Sequence, residues 1–404
     1  MKAGAQLTYV VPTGWPEAGD ASIDEPAFRV VEVPVIRPGD VNRHRLADPG
    51  ALVDLVRETG AELVDLAEEP FSAVVHQMLS RLPGDLPVVA YAAQNLDKRW
   101  PPPFHQWERQ AFSRLHGIYP CSRQAASVQR GKGFGGLLTP LPLGWSPERF
   151  RPGEQSIDDD EITLALFGRL EMYKGVLDAV TVLAELARHR PARLLLVGGG
   201  PAAEPAMAMA ADLGVANRVE VIPWLSEEAL AAAYRKAHVV LVPSTSTPTW
   251  VEQFGRTIVE GQASGCVVAA YASGSIPEVV AEAGLLVAEG DSAALAQAVS
   301  SLVADPAQWD RLRRAGVERS SGMTWDEVAQ RQMAFYRQAA ERGPGPVVGG
   351  SPAARRRAAA EEFGPPATAG GQQRPFADPL LRARPRAGRI IGAAMDAVAE
   401  AIHR

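Results

Sequence analysis

Two glutamates eight positions apart combine a residue type and a spacing that suit a shared ligand. Glu252 lies just before an apolar helical stretch and Glu260 lies within it, with Phe254 and Gly255 between them. Because a helix advances about 100° per residue, eight steps return a side chain close to its starting direction. Partly buried carboxylates need hydrogen-bond donors, and the vicinal hydroxyls of a sugar or ribose can supply them. Two solvated acids on an exposed helix face are the other interpretation.

Two cations form a second candidate group. Arg169 follows Gly168 at the end of the strand-like run 164–167, and Lys174 stands five positions later, where a helical pattern begins. Cations at a strand end beside a helix N-terminus can bind phosphate, because their charge adds to that of free backbone N–H groups. A surface arginine and lysine that flank a turn are the alternative.

The elements around these residues predict a parallel sheet with ligand loops at one edge. The strand-like run 237–242 stops at Pro243-Ser244, and 265–270 is the next such run. Another run, 194–197, enters three glycines whose backbone could approach a ligand closely. Ligands of open parallel sheets bind beyond the carboxyl ends of the strands, so both charged groups are expected at that edge.

The first half of the chain alternates predicted strands and helices, which favours one parallel, doubly wound α/β sheet. The predicted strands are 7–11, 28–33, 62–66, 88–91 and 117–119. The predicted helices between them include 49–58 and 71–82.

Five motifs, in their order along the chain, resemble the retaining glycosyltransferases of family 4, which have the GT-B architecture. They are Gly-Arg-Leu with Lys-Gly, Val-Gly-Gly-Gly-Pro, Pro-Ser, Glu…Phe-Gly…Glu and Gly-Ser-Ile-Pro-Glu. The resemblance covers residues 1 to about 340 and is strong from 160 onward. It implies an α/β fold of two Rossmann-like doubly wound domains that face each other across a cleft, plus a C-terminal tail.

The resemblance implies transfer of a hexose-type sugar from a nucleotide-diphosphate sugar to an acceptor hydroxyl on a glycan, a lipid-linked glycan or a small metabolite. Retention at the anomeric carbon, without a metal or other cofactor, is part of that implication. Glu252 would hold the transferred sugar, and Arg169 and Lys174 would neutralise the diphosphate, which makes these three the expected catalytic residues. The other expected donor-binding residues are Glu260 for the ribose, Phe254, Gly255, Gly168, Gly14, Ser244, and Trp224 and Leu225 for the base.

Residues of the N-terminal half are expected on the acceptor side. Glu69, Gln94 and Asn95 each follow a predicted strand. Many relatives carry a histidine near Gln94, and an amide does not titrate near neutral pH, which argues against a histidine-based step. The histidines predicted to be packed or solvated are His76, His105 and His116.

The motifs and the composition together divide the chain. The expected parts are an acceptor domain 1–150, a linker 151–161, a donor domain 162–322, a helix 323–340 that crosses back to the first domain, and a tail 341–404. The tail to about residue 385 is rich in Pro, Gly, Ala and Arg, and is predicted to be a flexible linker. The acidic run 158–161 is interpreted as solvated linker charge rather than as a Mg²⁺ site.

Composition excludes some classes of protein. A net charge of −6 gives no electrostatic argument for nucleic-acid binding. Two distant cysteines, Cys121 and Cys266, and the lack of an apolar run long enough for a bilayer predict a cytoplasmic protein.

A helical pattern at 389–402 carries an apolar stripe behind several arginines. The stripe is Ile391, Met395, Val398 and Ile402. A helix on the inner membrane surface or against a partner would use such a stripe. A helix packed on its own domain, or a frayed tail, is favoured because the hydrophobic residues are small and few.

Two other functions fit parts of the sequence. A sugar-nucleotide epimerase of similar architecture would use acids such as Asp65, Glu68 and Glu69 for proton transfer, and would convert the donor without an acceptor. A non-catalytic nucleotide-sugar binding protein would hold the donor without turnover, and the amide at Gln94 is the feature in its favour.

Overall fold

The computed structural model describes residues 6–14, 28–40 and 43–368, and the chain divides into two compact units. The first unit takes in Met1–Leu143 and Trp325–Pro366, and the second takes in Gly144–Thr324. The apolar stripe predicted near the end of the chain lies outside the described residues.

The first unit begins with seven strands and four helices within its described residues. The strands are β1 (Thr8–Thr13), β2 (Arg29–Ile36), β3 (Arg45–Leu46), β4 (Val64–Leu66), β5 (Val88–Ala92), β6 (Gly117–Pro120) and β7 (Leu137–Leu138). The helices are α1 (Pro49–Thr59), α2 (Ala73–Leu79), α3 (Phe104–Arg114) and α4 (Arg123–Lys132).

The strands of the first unit form two sheets rather than the single sheet that the sequence predicts. β4, β5, β6 and β7 lie side by side in a parallel sheet, in that order. β1 and β2 pair in parallel, and β3 joins β2 in the antiparallel direction. The hydrophobic pattern located five of these seven strands and missed the two-residue strands β3 and β7. It carried no signal for which strands would pair.

The second unit is built on one parallel sheet of six strands. Its strands are β8 (Ile162–Phe167), β9 (Ala192–Val197), β10 (Val219–Ile222), β11 (Val239–Val242), β12 (Val267–Tyr271) and β13 (Gly284–Val287). Its helices are α5 (Val176–Leu186), α6 (Ala203–Asp212), α7 (Glu227–Tyr234), α8 (Arg256–Ala263), α9 (Ile276–Val280), α10 (Ser292–Val303) and α11 (Pro306–Ser321).

The order of these strands, β10-β9-β8-β11-β12-β13, is that of a Rossmann fold. All residues of β8, β11 and β12 are buried, because the sheet is covered on both faces and its strands are therefore almost continuously apolar. The chain changes winding direction between β8 and β11, which are neighbours in the sheet. Such a switch point leaves a crevice beyond the carboxyl ends of the two strands.

Two further helices return to the first unit, α12 (Trp325–Arg342) and α13 (Pro352–Phe363). On α12, Tyr336 donates a hydrogen bond to Asp65 and Gln332 donates another at 3.2 Å. The Phe335 ring lies so close to Gly117 that a side-chain carbon there would stand 2.7 Å from it. The start of β6 therefore needs glycine in order to seat α12.

The prediction of a flexible linker from residue 341 is wrong for the segment that contains α13. This helix packs along α4, with Ala359 and Phe363 buried. The segment before it is docked as well, since a side chain at Gly135 would overlap the Pro346 carbonyl oxygen. Its Pro, Gly and Arg content is typical of linkers, and its helix has no apolar stripe that could have shown the packing.

Candidate active site at the switch point of the second unit

The expected cations and acids follow the two strands at the switch point. Gly168 and Arg169 come directly after β8, and Lys174 lies before α5. Ser244 and Glu252 lie in the loop after β11, which leads into α8. The sheet therefore brings together two loops that are about 75 residues apart in sequence, at the edge where a parallel sheet binds ligands.

Lys174 and Glu252 are in direct contact. The ammonium nitrogen lies 2.6 Å from Oε2 of Glu252, and the Ser244 hydroxyl donates to the same oxygen at 3.3 Å. Glu252 is 8% exposed, and Lys174 also lies over the Trp250 ring, 4.6 Å from its centroid. A charged pair this well enclosed is held in place by packing as well as by its mutual attraction.

Arg169 is half-buried beside Tyr173. Burial raises the pKa of the Tyr173 phenol, and the nearby Arg169 guanidinium opposes that rise. The Tyr173 and Trp250 rings lie 4.3 Å apart, so Arg169 and Lys174 approach the same aromatic pair. Two cations on one rim form a surface that attracts an anionic group.

The turn at Gly274-Ser275 fixes the backbone of Glu252. The Ser275 N–H donates to the Glu252 carbonyl at 2.9 Å. A side chain at Gly274 would overlap the same carbonyl oxygen. The Gly-Ser-Ile-Pro-Glu motif thus acts here through the position of Glu252.

The three-glycine turn packs against the loop that carries Arg169. A side chain at Gly198, where φ is +132°, would overlap the Gly168 carbonyl oxygen. The Leu170 N–H donates to the Gly199 carbonyl at 2.9 Å. These glycines allow two stretches of backbone to pack closely against each other. The sequence had predicted that this turn would approach a ligand instead.

Glu260 lies in α8 and has its own set of partners. Its Oε2 accepts a hydrogen bond from the Tyr234 hydroxyl at 2.9 Å, and its Oε1 lies 3.2 Å from Nε of Arg256. Burial raises the pKa of this carboxyl group, while Arg256 and Tyr234 oppose the rise. The spacing of Arg256 from Glu260 was a readable signal of a helical ion pair, whereas nothing in the sequence pointed to Tyr234.

The remaining donor-side residues lie around these groups. Phe254 is buried, and Gly255 precedes α8 with φ of +87°. Trp224 is 48% exposed after β10, and Leu225 beside it is half-buried. A side chain at Gly199 would lie 3.3 Å from Nε1 of Trp224, so this indole flanks the glycine turn.

Gly14 and the expected acceptor residues belong to the first unit. Gly14 directly follows β1 with φ of +74°, and among the described residues no atom lies within 4 Å of the place where its side-chain carbon would stand. Glu69 is half-buried, and its Oε1 accepts from the N–H groups of Ala93 and Gln94 at 2.8 and 2.9 Å. The Gln94 side-chain oxygen accepts from the Leu96 N–H at 3.3 Å. These contacts make Glu69 the support of the loop that follows β5.

Burial raises the pKa of Glu69 to about 7, although the two N–H groups favour its charged form. Burial also raises the pKa of Asp65 to about 6. This carboxylate accepts a hydrogen bond from the Tyr119 hydroxyl at 2.8 Å, as well as those from Gln332 and Tyr336 of α12. His44 donates to Glu68 at 2.9 Å. Burial lowers the pKa of His44, but Glu68 and Asp40 outweigh this effect, and the pKa is raised. All three acids thus have hydrogen-bond partners within the fold, although the second oxygens of Glu68 and Glu69 have none among the described residues.

The three predicted histidines divide between packing and solvent. His76 stacks on Trp107 at 4.8 Å, and His116 accepts from the Val88 N–H at 3.3 Å. His105 is exposed on α3. None of the three touches the acceptor-side residues Glu69, Gln94 or Asn95 in the described hydrogen bonds.

The acidic run 158–161 has a structural partner. Asp159 accepts from the Ser156 N–H at 3.2 Å and lies 2.9 Å from Nε2 of His238.

Among residues 6–14, 28–40 and 43–368, no cluster of His, Cys, Asp and Glu side chains could hold a metal ion. In the same part of the chain, no helix has the length and apolarity to cross a bilayer.

Residues 148–319 match the family model of glycosyl transferases group 1. The D-inositol 3-phosphate glycosyltransferase of Segniliparus rotundus is 34% identical over 217 residues, which is 50% of this chain and 47% of that relative. The enzyme of the same name from Nocardia farcinica is 34% identical over 219 residues, or 49% and 47% of the two chains. The chain therefore spans about half the length of these relatives.

Solved structures are similar over more of the chain. Sucrose-phosphate synthase from Thermosynechococcus elongatus superposes with a TM-score of 0.66 at 21% identity, over 83% of this chain and 90% of its own. Anabaena HepE, in complex with UDP and glucose, gives 0.57 at 18% identity, over 78% and 87%. These similarities confirm the expected α/β fold with two Rossmann-like domains. Residues 148–319 thus match the glycosyl transferases group 1 model, and the chain shares the GT-B fold of these solved structures.

Proposed function

We propose that the protein is a retaining, metal-independent glycosyltransferase that moves a hexose-type sugar from a nucleotide-diphosphate donor to an acceptor hydroxyl. The contact of Lys174 with Glu252 at the switch point carries the proposal. It joins a cation suited to phosphate and an acid suited to sugar hydroxyls at one place. The glycosyltransferase group 1 match covers both residues.

The donor binds with its diphosphate on Arg169 and Lys174. Lys174 then leaves Glu252 and pairs with phosphate oxygens, and the freed carboxylate accepts hydrogen bonds from the sugar. Glu260 accepts from the ribose, at a carboxylate already set by Tyr234 and Arg256. The exposed indole of Trp224 lies beside the glycine turn as a surface for the base.

Bond cleavage develops negative charge on the leaving diphosphate. Fixed cations stabilise that charge without reorganisation, which lowers the barrier. The departing phosphate oxygen takes the proton of the attacking hydroxyl on the same face, so the configuration at the anomeric carbon is retained. The protein's own contribution is to bind and orient the donor and to neutralise the charge of the leaving diphosphate.

The acceptor is a small hydroxylated metabolite in this proposal. Relatives named D-inositol 3-phosphate glycosyltransferase support that class, although the family model matched here lies within the second unit. We also propose a cytoplasmic location, because both cysteines are free and buried, which suits a reducing compartment.

A thermal-shift screen with nucleotide sugars identifies the donor, since a ligand that binds only the folded state raises the melting temperature. Transfer is then assayed with that donor and a panel of acceptors that includes D-inositol 3-phosphate, and the anomeric proton coupling of the product is read by NMR. We expect nucleoside diphosphate release that depends on acceptor and a product with the donor's configuration. Inversion, or epimerised donor without any acceptor, would contradict the proposal.

A further inference from the structure

Helix α13 lies outside the glycosyltransferase group 1 match, yet it is firmly bound to the first unit. Glu362 makes a two-point ion pair with Arg130 of α4, at 2.9 and 3.1 Å. Arg123 of α4 donates to the Glu362 carbonyl at 3.0 Å. The Phe363 ring lies about equally close to both guanidinium groups, 6.0 and 5.9 Å from their central carbons.

The same helix reaches the loop that follows β5. Arg356 lies against Gly131, where a side chain would stand 3.4 Å from its Cγ, and its Nε donates to Oδ2 of Asp97 at 2.6 Å. Asp97 lies two residues after Asn95 in loop 93–100. The helix thus packs along α4 and, through Arg356, also contacts this loop.

Loop 93–100 is held from other sides as well. Glu69 accepts from the backbone N–H groups of Ala93 and Gln94 at its start. Asn95 donates to Gln124 of α4 at 3.4 Å. Trp100 at the far end lies under Lys132 of α4, 5.5 Å from its ammonium group. Between these points, Asp97 carries the contact to α13.

We propose that Arg356 is a positioning residue for loop 93–100, so that helix α13 sets the placement of Gln94 and Asn95. The statement that loop 93–100 faces the acceptor rests on the proposed function. The contact between α13 and the loop does not depend on the proposed function, and the experiment measures the loop directly.

The test is hydrogen–deuterium exchange of the full-length protein, measured by mass spectrometry on peptides that cover 93–100. Arg356→Ala should speed exchange in these peptides by about two- to fivefold, the range for loss of a partly exposed ion pair. Arg356→Lys should restore part of the protection, and Arg356→Asp combined with Asp97→Arg should restore more than either charge reversal alone. Peptides over 243–252 in the second unit should exchange as in the wild type.

Arg357→Ala is the matched control, since Arg357 is an exposed arginine on the same helix. Equal exchange of loop 93–100 in the wild type and in Arg356→Ala would overturn the proposal. A rise spread over the whole first unit with a lower melting temperature would overturn it too, because Arg356 would then serve only general stability. The exchange measurement needs no substrate. A negative result therefore argues against the role of Arg356, whereas a lack of sugar transfer would argue against the proposed function.

Discussion

At the scale of single residues, the proposed function depends on a lysine that serves two partners in turn. Lys174 contacts Glu252 in the structure and is proposed to hold the diphosphate when the donor binds. The exchange keeps the buried carboxylate compensated until the sugar hydroxyls replace the ammonium group. An isolated charge would be costly at that depth, which explains why the two side chains pair so closely.

Lys174→Ala should lower the turnover of transfer by at least tenfold, because removal of one positioned donor to developing charge typically costs about 10²–10³ in rate. Steady-state kinetics on the donor found by screening will measure it. Lys236→Ala is the control, since Lys236 is an exposed lysine of the same unit. Unchanged kinetics in Lys174→Ala would refute the phosphate role.

Glu260→Ala should weaken binding of the nucleoside diphosphate by roughly 10- to 100-fold, since loss of a charged hydrogen-bond acceptor costs about 1.5–3 kcal/mol. Calorimetric titration measures the affinity directly. Glu260→Gln retains an acceptor oxygen and should lose less. Equal affinity in all three proteins would show that the ribose binds elsewhere.

Glu69 gives a pH dependence of stability that can be measured without substrate. Its pKa rises from 4.5 to about 7 on folding, so the folded state binds the proton more tightly. The resulting stability is fully present below about pH 4.5 and is lost as the pH rises through about 7, a loss on the order of 3 kcal/mol.

Glu69→Gln removes this titration. We expect the free energy of unfolding of the wild type, relative to the variant, to fall as the pH rises from about 5 to about 8. Urea unfolding at both pH values measures the difference. A constant difference would mean that Glu69 titrates normally in the folded protein.

At the scale of elements, the close backbone fits around the candidate site lie between loops. Gly198 allows the turn after β9 to meet the loop after β8, and that contact places Arg169. The sequence run of three glycines predicted a close backbone approach to a ligand, whereas Gly198 approaches the backbone of Gly168. Partners such as Tyr234 and the docked helix α13 left no periodic pattern to read.

Gly198→Ala should lower the free energy of unfolding by about 1–3 kcal/mol, through its positive φ and the clash with Gly168, and should also weaken nucleotide binding. Thermal unfolding and calorimetry measure the two effects. Gly199→Ala is the neighbouring control, because the added carbon would meet only the Trp224 indole, at 3.3 Å. Two variants with the same stability would contradict the packing role.

At the scale of the whole molecule, the placement of the motifs at one edge of a parallel sheet was the property that the sequence anticipated best. The motifs after β8, β9, β11 and β12 fall at the carboxyl edge of one parallel sheet, because a Rossmann winding places every such loop there. The first unit was less readable. Its short strands carry no motif that fixes their pairing, and its second sheet was therefore not predicted.

The proposal that a basic rim and an enclosed acid receive opposite ends of one activated sugar is tested most directly by a crystal structure with a nucleoside diphosphate. UDP, GDP, ADP and dTDP are screened by thermal shift, and crystals are grown with the one that stabilises the protein most. We predict the diphosphate within hydrogen-bond distance of Lys174 and Arg169, with Lys174 moved from Glu252 to a phosphate oxygen. A diphosphate bound away from these two cations, with the Lys174–Glu252 pair intact, would contradict the account.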